Sequence, residues 1–128
     1  GESLPFYIFI PPPAPLQPQV AVSLVSASEM HPEEGTSIAL TVADVEVKIA
    51  AAGNSASVSG EVAFEGSEAP GEVVLLAVAF DASGRVIGMR RGSLIQTWGG
   101  STPSTFNLTV FSSDGVIDHV LVFASAEN

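Results

Sequence analysis

The sequence predicts an all-β protein, an antiparallel β-sandwich of about seven or eight strands, and three observations carry that prediction. Apolar and polar residues alternate with a period of two in at least five separate runs, and no stretch carries a helical apolar stripe of useful length. Turn residues punctuate these runs about every 8–12 positions, the spacing of a sandwich. With 128 residues, 46% of them apolar, the chain can build one continuous core without metal or disulfide support. Residues 1–18 read as an N-terminal apolar strand and Pro-rich linker, and residues 19–128 as the sandwich domain.

Pro5-Phe6-Tyr7-Ile8-Phe9-Ile10 has high β propensity, and Pro11-Pro12-Pro13-Ala14-Pro15 then imposes an extended polyproline path. This is the composition of a semi-rigid linker whose apolar start pairs with a sheet edge. A proline-rich docking peptide would want flanking basic residues, which are absent. Val20, Val22 and Leu24 fall on one strand face, and Pro32 and Gly35 break the chain in the acidic loop that follows. Ile38, Leu40 and Val42 alternate at even positions, but Val45, Val47 and Ile49 alternate at odd ones. A strand moves its buried face by one residue only through a bulge or a break, so one is expected near Ala43-Asp44.

Gly53-Asn54 makes a turn into Val58, Gly60, Val62 and Phe64, which alternate with Ser59, Glu61, Ala63 and Glu65. Val73 to Phe80 is apolar at every position, as in a central strand covered on both faces. Asp81-Ala82-Ser83-Gly84 reverses the chain into the strand from Arg85 to Arg90, with Asp bonding the turn backbone and Gly taking positive φ. Trp98 to Pro103 is irregular. Phe106, Leu108 and Val110 form the next strand, Ser113-Asp114-Gly115 turns, and a last strand is expected from Val116 to Phe123 before a polar tail. No internal repeat of solenoid period is visible.

Val73 to Val86, reading VVLLAVAFDASGRV, resembles the strand-turn-strand core of FxLYD-type and related immunoglobulin-like domains of bacterial surface proteins. Val58-Ser59-Gly60-Glu61-Val62 is similar to the V-x-G-x-V strand of that family, and Phe106 stands where its late strand carries an aromatic. Phe80 and Asp81 are adjacent here, so the aromatic is shifted, and the Leu-Tyr pair of the family's name is missing. The resemblance covers about half of the chain. It implies an immunoglobulin-like sandwich at an extracytoplasmic location, and a chain that starts with Gly1 in place of Met is compatible with a removed signal peptide.

Four Lys and Arg against 14 Asp and Glu give a net charge of −10. A nucleic-acid backbone and an anionic membrane surface are repelled by such a charge, and apolar runs of about four to eight residues are too short for a membrane-spanning helix. With no cysteine, thiol nucleophiles, thiolate-bound zinc and disulfides are excluded. No cofactor is expected.

Catalysis would have to use His31, His119 or a carboxylate pair, and no nucleophile elbow, Walker loop or H-E-x-x-H motif accompanies them. His31, beside Glu29, Glu33 and Glu34, reads as a solvated loop residue before a metal ligand. His119 shares parity with Ile117, Leu121 and Phe123, which predicts a buried or edge-satisfied core histidine. Asp81 and Asp114 read as turn formers, and Asp118 as a solvent-facing strand residue. Trp98, the single tryptophan, adjoins Gly99-Gly100 and reads as a core or loop anchor before a stacking platform for a sugar. Trp98, Tyr7 and Phe9 are the candidate contacts to a ligand or partner. The expected function is a non-catalytic structural or adhesion module, not an enzyme, with a protein or glycan partner, as a monomer or a dimer that exchanges its N-terminal strand. A carbohydrate-binding module using Trp98 is the alternative.

Overall fold

The computed structural model describes residues 39–65, 70–94 and 102–127. These residues form six strands and no helix: β1 (Ala39–Ile49), β2 (Ser55–Glu65), β3 (Glu72–Phe80), β4 (Val86–Leu94), β5 (Ser104–Phe111) and β6 (His119–Glu127). They make two three-stranded antiparallel sheets, in the orders β1-β2-β5 and β4-β3-β6. Two further strands that the sequence predicts, over Phe6 to Ile10 and Val20 to Leu24, lie outside the described residues.

Alternation on each strand produces one core shared by the two sheets. Ala56, Val58, Val62 and Phe64 on β2 and Phe106 and Val110 on β5 point from the first sheet. Val73, Leu75, Ala77 and Ala79 on β3, Ile87 on β4 and Val120 on β6 meet them from the second. Between layers, burial of about 1.5–3 kcal/mol per large aliphatic side chain is the main favourable contribution. The uninterrupted apolar run of β3 is explained by its place at the centre of its sheet. Val74 and Val78 face away from the core and are nevertheless buried.

The parity change in β1 is a bulge. Ala43 pairs with Glu61 and Glu46 with Ser59, so Asp44 and Val45 together stand opposite Gly60. Asp44 takes a φ of 51°, a left-handed conformation that Asp tolerates better than most residues. Gly60 is needed here, because a Cβ would lie 2.8 Å from the Phe106 ring and 3.0 Å from the Ala43 carbonyl oxygen. Of the three odd apolar positions beyond the bulge, only Val47 packs on the core; Val45 in the bulge and Ile49 at the strand end are exposed.

The end of the chain differs from expectation. Val116 to Asp118 is not strand, and β6 starts at His119 and runs to Glu127, through the residues read as a tail. The cause is hydrogen bonding across the layers. The Ile117 N–H donates to the Gly53 carbonyl at 2.8 Å and the Asp118 N–H to the Phe80 carbonyl at 2.8 Å, so the chain changes sheets at this point. The core face of β6 is therefore carried by Val120, Val122 and Ala124, and Ile117 fills the core from the crossing segment. His119 consequently faces outward and is exposed at the start of β6, which corrects the expectation of a core histidine, buried or satisfied at an edge, as far as its burial is concerned.

On β4, Gly88 and Gly92 let the strand approach β5 of the other sheet. A Cβ on Gly88 would meet the Phe111 carbonyl oxygen, and one on Gly92 the Leu108 side chain. Backbone cannot yield as a leucine tip can. Gly88→Ala is therefore expected to lower the unfolding free energy by about 1–3 kcal/mol through overpacking. Gly84→Ala, at a φ of 79° with nothing within 4 Å, has only its backbone conformation to disfavour it, at about 1–2 kcal/mol. Urea denaturation of both variants beside Gly92→Ala checks this; a Gly88→Ala protein as stable as Gly92→Ala would show that β4 does not press on the β5 backbone.

Candidate interaction face

The outward face of the β4-β3-β6 sheet is apolar along its centre. Its middle column is Val74, Leu76, Val78 and Phe80 of β3. The register places Met89 and Leu121 on either side of Val78, Arg91 and Phe123 beside Leu76, and Ser93 and Ser125 beside Val74. Val78 is fully buried in this row, Leu76, Phe80 and Phe123 are half-buried, and Leu121 is exposed. At the end of the column the His119 ring stacks on Phe80, with centroids 5.0 Å apart and planes 8° from parallel. His119 Nδ1 lies 2.9 Å from the Asp118 carboxylate, which orients the ring. An open depression of ≈ 260 Å³ lies beside the column, lined by Leu76, Met89, Arg90 and Arg91.

The outward face of the other sheet is different in kind. Thr41, Glu46 and Lys48 on β1, Ser57, Ser59 and Glu61 on β2, and Thr105, Asn107 and Thr109 on β5 occupy most of it, together with Ala43, Ala63 and, at the end of β5, the exposed Phe111. That sheet follows the usual division of one buried and one solvated face, and the second sheet departs from it.

A second cluster of polar groups lies at the β3–β4 turn. Asp81 Oδ1 accepts from the Ser83 N–H at 2.9 Å, the Ser83 hydroxyl at 2.6 Å and the Arg85 N–H at 3.0 Å. Arg85 Nε donates to Asp81 Oδ2 at 3.1 Å, and its Nη1 reaches Asp114 Oδ2 at 3.4 Å. The turn closes with the Gly84 N–H on the Asp81 carbonyl at 2.9 Å. Asp81 thus has the turn-forming role expected of it, and Asp114 is bound to the same guanidinium. This arrangement holds a hairpin in shape. Arg85 and Asp114 are largely exposed, so their ion pair contributes little to stability.

Among the described residues, no group of three or more His, Asp or Glu side chains converges to hold a metal ion. No helix of the described residues is long and apolar enough to cross a membrane. Trp98, Tyr7, Phe9 and His31, the ligand or metal candidates of the sequence, lie outside the described residues. The outward apolar column was not among those candidates. Its signal was the apolar residues at both parities from Val73 to Phe80, which imply two covered faces.

Compared with known proteins, the chain matches no family model, no curated protein and no solved structure.

The Asp81 carboxyl is held well below the ordinary carboxylate range, first by the Ser83 hydroxyl, then by the Arg85 N–H and, less strongly, by the Arg85 side chain and the Ser83 N–H. A folded pKa below the unfolded value of about 3.9 means a contribution to stability that is complete above that pH and lost as the pH falls below it. Asp81→Asn should therefore flatten the loss of stability between about pH 4 and pH 2 and lower stability near neutrality. Thermal unfolding across that range checks it, and parallel profiles for the two proteins would deny the carboxylate this role.

Proposed function

We propose that this chain is a non-catalytic, immunoglobulin-like module of an extracytoplasmic surface or secreted protein, serving as a spacer or adhesion domain. The strand order supports the fold part of this reading. Taking β1, β2 and β5 as strands A, B and E, and β4, β3 and β6 as C′, C and F, gives the neighbour relations of an immunoglobulin-type sandwich. The segments that resemble FxLYD-type domains fall on consecutive elements of this order: Val58 to Val62 on β2, and Val73 to Val86 on β3, its turn and the start of β4.

The observation that carries the functional part is the contrast between the two outward faces. One is largely polar, with Phe111 exposed at its end. The other has a buried apolar centre at Val74 and Val78 flanked by half-buried Leu76, Phe80 and Phe123 and by the exposed Leu121, which favours contact with another protein on that side. The polar cluster of Asp81, Ser83, Arg85 and Asp114 is a turn support, with Asp81 bound to Ser83 and Arg85 and Asp114 to Arg85. A glycan-binding module is the second reading, and it rests on Trp98 beside Gly99-Gly100.

The two readings separate by titrating the full chain with a glycan panel while following the emission of Trp98, the sole tryptophan. The spacer or adhesion reading expects no saturable change. A saturable shift, lost together with binding in Trp98→Ala, would transfer the function to carbohydrate recognition.

A further inference from the structure

The strand registers bring three connections to one end of the sandwich: the β1–β2 turn at residues 50–54, the β3–β4 turn at residues 81–85 and the β5–β6 crossing at residues 112–118. Among the described residues six large apolar side chains are exposed, and four of them, Ile49, Val86, Phe111 and Val116, belong to this end. Ile49 is the last residue of β1, Phe111 the last of β5 and Val86 the first of β4, while Val116 lies in the crossing. Ala50, Ala51 and Ala52 of the β1–β2 turn are exposed as well. Turns ordinarily carry Gly, Pro, Asn, Asp and Ser, so turn chemistry does not account for three alanines at a tip.

These residues stand on a braced platform. Val116 sits directly on Gly53, whose missing side chain makes room for it, and is 65% exposed there. The Ile117 N–H on the Gly53 carbonyl and the Ser112 N–H on the Asn54 carbonyl, at 2.9 Å, join the crossing to the β1–β2 turn. The Ser113 N–H on the Ile87 carbonyl and the Arg85 guanidinium beside Asp114 join it to the β3–β4 hairpin. The Ser112 hydroxyl closes the crossing on itself by donating to the Gly115 carbonyl at 2.8 Å. Loops tied to both sheets lose little freedom on binding, so apolar area presented there meets a partner at a low ordering cost.

We infer that this end of the sandwich is a docking surface for a partner protein segment in which apolar side chains are flanked by basic ones. The apolar contact centres on Val116 and the alanine turn beneath it. The charge of the same end selects the partner. Asp81, Asp114 and Asp118 stand in the three connections against the single guanidinium of Arg85, so the rim is acidic. Asp81 is committed to Ser83 and Arg85, whereas the Asp114 and Asp118 carboxylates are 77% and 56% exposed to an incoming cation. A net charge of −10 attracts a basic segment at long range, and repels a second copy of this chain and an anionic membrane surface. This end is distinct from the apolar column of the β4-β3-β6 sheet, and a partner on one does not require a partner on the other.

The test selects a random peptide library, displayed on phage, against the full chain. The peptides recovered are expected to combine Lys or Arg with Leu, Phe or Trp. They should bind Val116→Ser about fivefold and Ala51→Lys about tenfold more weakly than the parent chain, through lost apolar contact and, in the second, added repulsion. Asp114→Asn is expected to weaken binding about two- to threefold at low salt and to reduce its salt dependence. Leu121→Ser, on the sheet face, should change nothing. The substituted side chains are exposed, so each variant is expected to keep the parent melting temperature; where one falls, the others decide. Peptides without basic residues, binding indifferent to Val116→Ser and Ala51→Lys, or a selection that recovers no peptide would each overturn the inference. Binding lost in Leu121→Ser alone would overturn it in favour of the sheet face.

Discussion

The position of β4 against β5 is set by the missing side chain of Gly88, and much of one end of the molecule follows from it. With only hydrogen on that Cα, β4 can lie on the Phe111 carbonyl at the end of β5. That proximity lets the Ser113 N–H donate to the Ile87 carbonyl at 2.7 Å and the Ser113 hydroxyl to the same oxygen at 2.9 Å. The turn after β5 is thereby tied to the opposite sheet. From there the chain bonds Gly53 through Ile117 and Phe80 through Asp118, which fixes where β6 begins and which of its faces meets the core. Arg85 reaches Asp114 because the same turn brings that carboxylate alongside the β3–β4 hairpin.

Charge is distributed in keeping with this architecture. Lys48 lies on the polar outward face, beside Glu46 at 3.2 Å, and Arg85 serves the turn. Arg90 and Arg91 stand in the middle of β4, which among the described residues pairs only with β3. Two arginines on an edge strand disfavour pairing with a foreign strand, since a partner would have to accommodate both charges. The net charge of −10 acts in the same direction, by keeping copies of the molecule apart in solution.

Several elements were legible in the sequence because their causes are local. The bulge at Asp44 could be read from a change of parity, the Asp81 turn from an Asp and a Gly three residues apart, and the central place of β3 from its unbroken apolar run. His119 and the bounds of β6 were not legible. Parity carries from one residue to the next only inside a continuous strand, and the segment from Val116 to Asp118 crosses between sheets, so Ile117 lends no face to Leu121. For the same reason Val45 and Ile49 share a parity with Val47 without sharing its burial. Of the candidate interaction face, the β3 column was implicit in the run from Val73 to Phe80, but its flanks at Met89, Leu121 and Phe123 depend on which strands lie beside β3.

By itself the sequence determined the class of fold, the turns and the inward positions of most strands, because a period of two and the backbone needs of Gly, Pro and Asp are properties of short segments. Only the tertiary structure decided that β2 lies between β1 and β5 and β3 between β4 and β6, that one outward face is apolar, and that β4 touches β5 at Gly88. These are relations between segments distant along the chain. They arise from side chains that fill one core together, and no window of neighbouring residues contains them.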